Sequence, residues 1–261
     1  MAPTRRQLMR LAAALGLATA GTGQAAMAMQ QRAEARDIVT RQGRRQHMRF
    51  WLALPAGYGL DAQQRWPLVF FLHGSGERGS DLQQVLVHGP ARRVAAGELQ
   101  LPFVLVSPQL DEGRRWDAQE LRALADLLIA ELAVDRERLS VTGLSLGGHG
   151  CWDWACAYPQ RIAAIAPVCG YGDPLKACAM RAVPVRAYHG QADDVVPLAA
   201  QQAMVDALRR CGGQAELTIY PGLGHNAWDP AYADAGLYAW LAARSLRERA
   251  IATTTAGGEA A

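Results

Sequence analysis

Residues Gly143-Leu144-Ser145-Leu146-Gly147 carry the fold prediction for this chain. They come directly after the strand-like run Leu139-Ser140-Val141-Thr142, and helix-compatible sequence follows them. Glycines on both sides of Ser145 permit a sharp turn, because larger side chains at these positions would crowd the backbone. A serine hydroxyl is a weak nucleophile until the fold exposes it and a base takes its proton. The order of strand, turn and helix therefore predicts Ser145 as a nucleophile at the end of a buried strand.

Candidate partners for Ser145 lie in two later loops. His189-Gly190-Gln191-Ala192-Asp193-Asp194 follows the apolar run from Val183 to Tyr188. Either aspartate could orient a histidine, or both could only organise the turn. Pro221-Gly222-Leu223-Gly224-His225 follows the next strand-like run, and its glycines let His225 project from a tight turn. We predict His225 as the base, with an aspartate of the first loop fixing its tautomer and stabilising the imidazolium.

A second glycine-rich loop follows an earlier apolar run. It reads Leu72-His73-Gly74-Ser75-Gly76-Glu77-Arg78-Gly79. Small residues here would let backbone N–H groups approach a developing oxyanion. We predict the N–H of Ser75, or else of Gly76, as one donor and the N–H of Leu146 as the other. A phosphate-binding loop is disfavoured because the G-x-x-x-x-G-K-[ST] pattern is absent.

Apolar runs alternate with amphipathic segments along the chain. Continuous apolar runs such as Pro67 to Leu72 are typical of strands buried on both faces of a parallel sheet. Such alternation predicts an α/β fold, with a mostly parallel central sheet, helices on both faces and no large lid domain, over residues 37–249. The predicted strands are 46–54, 67–72, 103–106, 139–142, 162–168, 183–188 and 216–220, and the predicted helices are 117–134, 145–157, 198–211 and 230–249.

The two ends of the chain differ in composition from the rest. Residues 1–28 combine Arg5 and Arg6, a weakly apolar stretch and the cleavage-like Ala26-Met27-Ala28, which predicts a signal peptide of twin-arginine type. An ordinary secretory leader is the alternative. Residues 250–261 are rich in Thr, Ala and Gly and are expected to form a flexible tail. We therefore expect a periplasmic or secreted protein without stable membrane insertion once the leader is removed.

Charge and cysteine content narrow the classes of partner. The leader holds three of the 27 basic residues and no acidic residue. Without the leader, the chain has 24 basic and 24 acidic residues. No basic excess remains to favour nucleic acid. Five cysteines in an exported chain permit disulfides. We expect Cys169 to pair with Cys178 across a short loop, Cys151 and Cys156 to be core thiols, and no metal site, because the spacing does not suit zinc.

These motifs together resemble the α/β-hydrolase superfamily, and within it the small serine esterases of the phospholipase/carboxylesterase, predicted-peptidase and feruloyl-esterase-like group. The resemblance covers nearly all of residues 46–246. In similar enzymes the acid lies four positions after the histidine of the His-Gly pair, which selects Asp193, although Asp194 stands beside it. His225-Asn226-Ala227-Trp228-Asp229 is most like the predicted-peptidase branch. The resemblance implies ester hydrolysis through an acyl-enzyme, with no cofactor.

The substrate is less closely defined than the chemistry. Short loops predict an open cleft, which suits a small-molecule or polymer ester. Trp116 and Trp228 are candidates for a stacking wall, with ordinary packing under loops as the alternative. Two other functions stay open. One is a serine peptidase of the same fold, and the other is a non-catalytic binding protein on a hydrolase scaffold.

Overall fold

An eight-stranded sheet forms the centre of the molecule. The computed structural model describes residues 29–249. The strand order is β1-β2-β4-β3-β5-β6-β7-β8, in which β1 and β2 are antiparallel to their neighbours and β3 to β8 run parallel. The strands are β1 (Gln30–Val39), β2 (Arg45–Leu54), β3 (Trp66–Leu72), β4 (Val104–Pro108), β5 (Val134–Leu144), β6 (Ala164–Val168), β7 (Val185–Gly190) and β8 (Ala215–Tyr220).

Helices cover both faces of the sheet, as predicted. Leu68 and Phe70 of β3 pack in one buried cluster with α2, α3 and α4, whereas Val69 and Phe71 pack in a second cluster with α1, α5 and α6. Successive strand residues face opposite sides, so a continuous apolar run supplies both clusters. The helices are α1 (Gly89–Ala95), α2 (Ala118–Glu131), α3 (Leu146–Ala157), α4 (Leu198–Arg210), α5 (Trp228–Ala233) and α6 (Ala235–Ala243).

Three elements differ from the sequence prediction. Strand β1 begins at Gln30, ahead of the predicted boundary at residue 37, and pairs with β2 along its whole length. The sequence of β1 is polar and largely exposed, so it lacks the apolar pattern by which the other strands were predicted. The strand is stabilised by its pairing with β2. Helix α1 was also not predicted. The single helix predicted over 230–249 is divided at Asp234, whose carboxylate accepts the N–H of Gly236 and so starts α6.

The parallel strands place several loops at one edge of the sheet. The segments after β3, β4, β5, β6, β7 and β8 all leave from the carboxyl ends of their strands. In open α/β sheets ligands bind at this edge. No further domain is inserted between the elements of residues 29–249, and no helix in this range has the length and apolar character needed to cross a membrane. The predicted leader and tail lie outside the described residues.

Candidate active site

Ser145 stands at the bend between β5 and α3. Its φ of 52° and ψ of −115° lie in a region that L-residues rarely adopt. The Ser145 N–H donates to Val168 O at 2.9 Å, which ties the bend to β6. A Cβ on Gly147 would lie 1.8 Å from Leu72 O, and one on Gly143 would lie 2.6 Å from Gly147 O. Only glycine fits at both positions, so the local sequence accounts for the exposed turn.

His225 lies between Ser145 and Asp193. Its Nε2 is 2.9 Å from Ser145 Oγ, and its Nδ1 is 2.8 Å and 3.0 Å from the two carboxylate oxygens of Asp193. The carboxylate can only accept, so Nδ1 carries a proton and Nε2 is free to receive the one on Ser145. The structure thus brings the three predicted side chains into one hydrogen-bonded row.

Close backbone contact between two loops brings Asp193 and His225 together in this row. A Cβ on Gly190 would lie 2.1 Å from Gly224 O, and Ala192 N–H donates to Leu223 O at 2.9 Å. The turn after β7 therefore lies directly against the turn after β8. As a result, Asp193 and His225 meet although they are far apart in sequence.

Asp193 is held as a carboxylate. Its side chain is fully buried and also accepts the N–H groups of Val195 and Val196 at 3.0 and 2.9 Å. Burial alone would raise the pKa of Asp193, but the hydrogen bond from His225 and those from the two backbone N–H groups lower it below its usual value. Asp194, in contrast, is exposed and has no hydrogen bond or ion pair among the described residues. The geometry thus distinguishes the two aspartates.

The loop after β3 lies beside Ser145. A Cβ on Gly74 would lie 3.6 Å from Ser145 Cβ, and Ser75 and Gly76 follow it in an exposed 3-10 turn, Ser75–Glu77. Leu146 is the first residue of α3, where backbone N–H groups have no partner within the helix. The loop that carries one predicted donor thus lies beside the nucleophile, and the other predicted donor, Leu146, follows Ser145 directly in sequence.

His73 anchors the loop after β3 by two hydrogen bonds. Its Nδ1 donates to Gly74 O at 2.6 Å and its Nε2 accepts the N–H of Leu110 at 3.0 Å, so the ring is neutral. Burial lowers the pKa of His73 to about 4 and outweighs the hydrogen bond to Gly74. Arg78 fixes the far end of the loop by donating from Nε to Ser75 O at 2.9 Å. The loop is therefore anchored at both ends.

The two predicted stacking residues occupy different environments. Trp116 is only 7% exposed, and its indole N–H donates to His73 O at 3.1 Å. This burial favours the packing alternative for Trp116. Trp228 is half-buried at the start of α5, with its ring centroid 5.3 Å from that of His225 and 5.3 Å from that of His88. Trp228 therefore lies beside the hydrogen-bonded row.

Comparison with known proteins identifies the family. The model of the phospholipase/carboxylesterase family matches residues 106–236, half of the 261-residue chain. The match contains Ser145, Asp193 and His225. This chain belongs to the phospholipase/carboxylesterase family. The α/β-hydrolase resemblance in the sequence is thereby confirmed.

Individual relatives of this family member are distant. A protein of Oryza sativa subsp. japonica named "Probable carboxylesterase" is 31% identical over 49% of this chain and 50% of its own length. A bifunctional acetylxylan esterase/xylanase of Neocallimastix patriciarum is 29% identical over 67% of this chain and 26% of its own length. The chain therefore spans half or less of these two curated relatives.

Solved structures of the same fold include two esterases. The crystal structure of a thermostable esterase is 26% identical, with a TM-score of 0.68, and the alignment covers 82% of this chain and 63% of that one. A ferulic acid esterase is 15% identical, with a TM-score of 0.62, over 82% of this chain and 96% of its own. The second likeness shows the fold alone.

The disulfide prediction was wrong in its pairing. Cys178 is bonded to Cys211, with Cα atoms 5.4 Å apart, and not to Cys169. Cys178 lies in the 3-10 segment 174–180, which packs on α4 and brings it to the helix end that Cys211 caps. Cys169 is instead buried beside the carboxylate of Asp193, and burial raises the pKa of its thiol to about 12. Cys151 is a buried free thiol, as predicted, and Cys156 is a half-buried one.

Several side chains near the site were missed by sequence reasoning. His88 is one, because it precedes the unpredicted helix α1 and no motif marks it. Arg115, His149 and Tyr171 form another group, in which each follows a strand that ends at the active edge. Their place after such strands was the available signal, but no spacing connects them in sequence.

Proposed function

We propose that this chain is an exported serine hydrolase that cleaves carboxylic esters through an acyl-enzyme. The observation that carries the proposal is the row Ser145–His225–Asp193, with heavy-atom distances of 2.9 Å and 2.8 Å. Distances of this size suit proton transfer from a serine to a general base. Membership of the phospholipase/carboxylesterase family supports the same reaction class.

The first half of the reaction forms the acyl-enzyme. His225 Nε2 takes the proton of Ser145 Oγ as that oxygen attacks the ester carbonyl. The backbone N–H of Leu146 and the N–H of Ser75, or of Gly76, stabilise the oxyanion. Asp193 keeps the imidazole in the required tautomer and stabilises its charged form. His225 then donates its proton to the leaving alcohol.

The second half releases the acid. Water attacks the acyl-enzyme while His225 again acts as base, and Ser145 leaves with the returned proton. No cofactor enters this scheme. A small-molecule or polymer ester is the proposed substrate, since the described chain inserts no lid domain above the carboxyl edge of the sheet.

The decisive experiment combines active-site labelling with turnover. We expect a fluorophosphonate probe to label the wild type, and Ser145→Ala to lose both labelling and nearly all ester hydrolysis while it remains folded. The matched control is Ser80→Ala, a change at an exposed serine. Ester hydrolysis that survives in Ser145→Ala would refute the assignment.

A panel of substrates separates the competing functions. Esters of several acyl lengths, feruloyl esters and acetylated sugars should be cleaved faster than peptide amides. Faster Ser145-dependent cleavage of amides would instead identify a peptidase. A folded wild type that neither reacts with the probe nor cleaves any member would identify a binding protein.

Export is proposed from the leader at residues 1–28. The Cys178–Cys211 bond supports it, because disulfides persist in oxidising compartments. Expression of the full chain in a bacterial host, followed by fractionation, tests the route. We expect Arg5→Lys combined with Arg6→Lys to retain the protein in the cytoplasm. Equal export of this variant would indicate an ordinary secretory leader.

A further inference from the structure

Arg115, His149 and Tyr171 meet at the carboxyl edge of the sheet, and His149 connects this group to the nucleophile. His149 lies one helical turn after Ser145, and its backbone N–H donates to Ser145 O at 3.0 Å. The ring of Tyr171, from the loop after β6, lies 4.5 Å from the His149 ring, centroid to centroid. Arg115, from the segment between β4 and α2, donates from Nη2 to the Tyr171 hydroxyl at 3.3 Å.

His149 holds Tyr171 in place. Its Nδ1 lies 2.7 Å from Tyr171 O and its Nε2 lies 3.0 Å from the Asp153 carboxylate. Both of these partners only accept, so both ring nitrogens carry protons. The hydrogen bond to Asp153 raises the pKa of His149 and outweighs its burial. Tyr171 is therefore fixed against the His149 ring, and 38% of the residue stays exposed.

The charge of Arg115 is not neutralised by any residue of the range 29–249. Among the described residues it has no carboxylate oxygen within 4.0 Å, and its side chain is exposed. Arg78 also has no carboxylate partner among the described residues. It lies nearby, since its Nη1 donates to Arg114 O at 3.2 Å. Arg114 itself is paired with Glu120 at 2.8 Å. The guanidinium of Arg115, which has no carboxylate partner among the described residues, thus lies beside the ring of Tyr171.

The placement of His225 indicates which part of an ester substrate would lie beside Arg115 and Tyr171. His225 packs on Trp228, and Trp228 in turn packs on His88, so this contact lies on the α1 and α5 side of the sheet. As general acid it must reach the leaving oxygen, so the alcohol part lies on that side. Arg115 and His149 belong to the α2 and α3 side. If the alcohol part takes the Trp228 side, the acyl part has the side of Arg115 and His149 left to it.

We propose that Arg115 and Tyr171 form a recognition site for an acyl chain that ends in a free carboxylate, so that the preferred substrates are half-esters of dicarboxylic acids. This inference rests on the proposed ester hydrolysis. The planar guanidinium matches a carboxylate with paired N–H groups, and the phenol ring supports the chain that leads to it. Neither side chain touches the reacting atoms, so both act in binding.

The test compares two esters with one leaving group and equal acyl length. These are 4-nitrophenyl hexanoate and mono-4-nitrophenyl adipate, which differ in a terminal methyl or carboxylate group. We expect the wild type to prefer the adipate. Arg115→Gln should lower the ratio of kcat/KM values, adipate to hexanoate, about threefold to tenfold, mainly through KM. Arg115→Lys should keep part of the preference, and high salt should lower the wild-type ratio.

Arg210→Gln is the matched control, because Arg210 is exposed at the end of α4, on the opposite edge of the sheet. It makes the same change in charge and should leave the ratio unaltered. An equal ratio in Arg115→Gln and wild type, with hexanoate turnover intact, would overturn the recognition site and leave the esterase proposal standing. If neither ester is cleaved in a Ser145-dependent way, the esterase proposal fails and the recognition site falls with it.

Discussion

Asp193 is held in place by contacts beyond its hydrogen bond with His225. Besides His225 and two backbone N–H groups, His189 Nε2 lies 3.3 Å from Asp193 Oδ2, and both side chains are fully buried. The same His189 nitrogen is 2.9 Å from Val196 O and donates there. The two backbone N–H groups orient the carboxylate, and the buried His189 ring lies against it.

Asparagine at position 193 tests this assignment. We expect Asp193→Asn to lower kcat for ester hydrolysis about 10⁴-fold, since the amide no longer favours the tautomer with a proton on Nδ1. Asp194→Asn makes the same chemical change at an exposed neighbour and should keep wild-type kcat. Steady-state kinetics with one chromogenic ester measures both variants. The reverse ranking would assign the role to Asp194.

His73 and Glu77, beneath the loop after β3, respond to pH in opposite directions. Burial lowers the pKa of His73 to about 4, so its contribution to stability is full above the ordinary pKa of 6.5 and is lost as the pH falls towards 4. Burial raises the pKa of Glu77 above 4.5, against the opposing effects of His88 and two backbone N–H groups. Its contribution is full below 4.5 and is lost as the pH rises through the raised pKa.

Removing the carboxyl of Glu77 should reveal how the titration of His73 changes stability with pH. In Glu77→Gln the free energy of unfolding should fall more steeply than in the wild type as the pH drops from 6.5 to 4.5, by up to about 1.4 kcal/mol per pH unit. Urea unfolding at a series of pH values measures the slope. Glu112→Gln, at an exposed site, is the control. If the free energy of unfolding changes with pH equally in Glu77→Gln and in the wild type, His73 and Glu77 do not have opposite effects on stability.

At the scale of elements, the approach of α3 to β3 and β5 decides the position of the nucleophile. Gly147 contacts Leu72 O, and Gly148 lies against Gly170, where a Cβ would be 2.9 Å from its Cα. Side chains at these points would push α3 away from the sheet. The helix can begin immediately after Ser145 only because the backbones touch.

Alanine at Gly147 should therefore damage folding. We expect Gly147→Ala to lower the free energy of unfolding by about 3 kcal/mol or more, because its Cβ meets backbone atoms that cannot move independently. Gly76→Ala is a suitable control, since nothing lies within 4 Å of its added Cβ. Thermal unfolding followed by circular dichroism compares the two. Equal stability would mean that the α3–β3 contact is looser than the structure indicates.

At the scale of the whole molecule, the Cys178–Cys211 bond joins the segment before β7 to the end of α4. The two residues are 33 positions apart, and β7 and α4 lie between them. The bond therefore closes a loop that includes the turn of Asp193. It also acts far from the row of side chains, so its loss should affect stability more than kcat.

Replacing both bonded cysteines measures this contribution. Cys178→Ser combined with Cys211→Ser should lower the free energy of unfolding by about 3–4 kcal/mol, as expected for a loop of this length. Turnover at low temperature should be retained. Cys156→Ser, at a free half-buried thiol, is the control and should change stability little. An unchanged unfolding midpoint would show that the bond does not constrain the unfolded chain.

Sequence reasoning succeeded where physical signals are local. The runs that became β3 and β8, the amphipathic segment that became α2 and the glycine-flanked turn of Ser145 all depend on neighbouring residues. It failed where stability comes from distant contacts. Strand β1 is polar and is stabilised by pairing with β2, and Cys178 meets Cys211 because a 3-10 segment packs on α4.

The sequence by itself determined the fold class, the bend that exposes Ser145 and the three side-chain types that the proposed chemistry needs, because apolar periodicity and glycine spacing act over a few residues. Tertiary structure decided that Asp193 and not Asp194 meets His225, which cysteines are bonded and which residues lie around Ser145. Those outcomes depend on the distance between loops from different strands. That distance is set by strand order and backbone packing, which are properties of the whole folded chain.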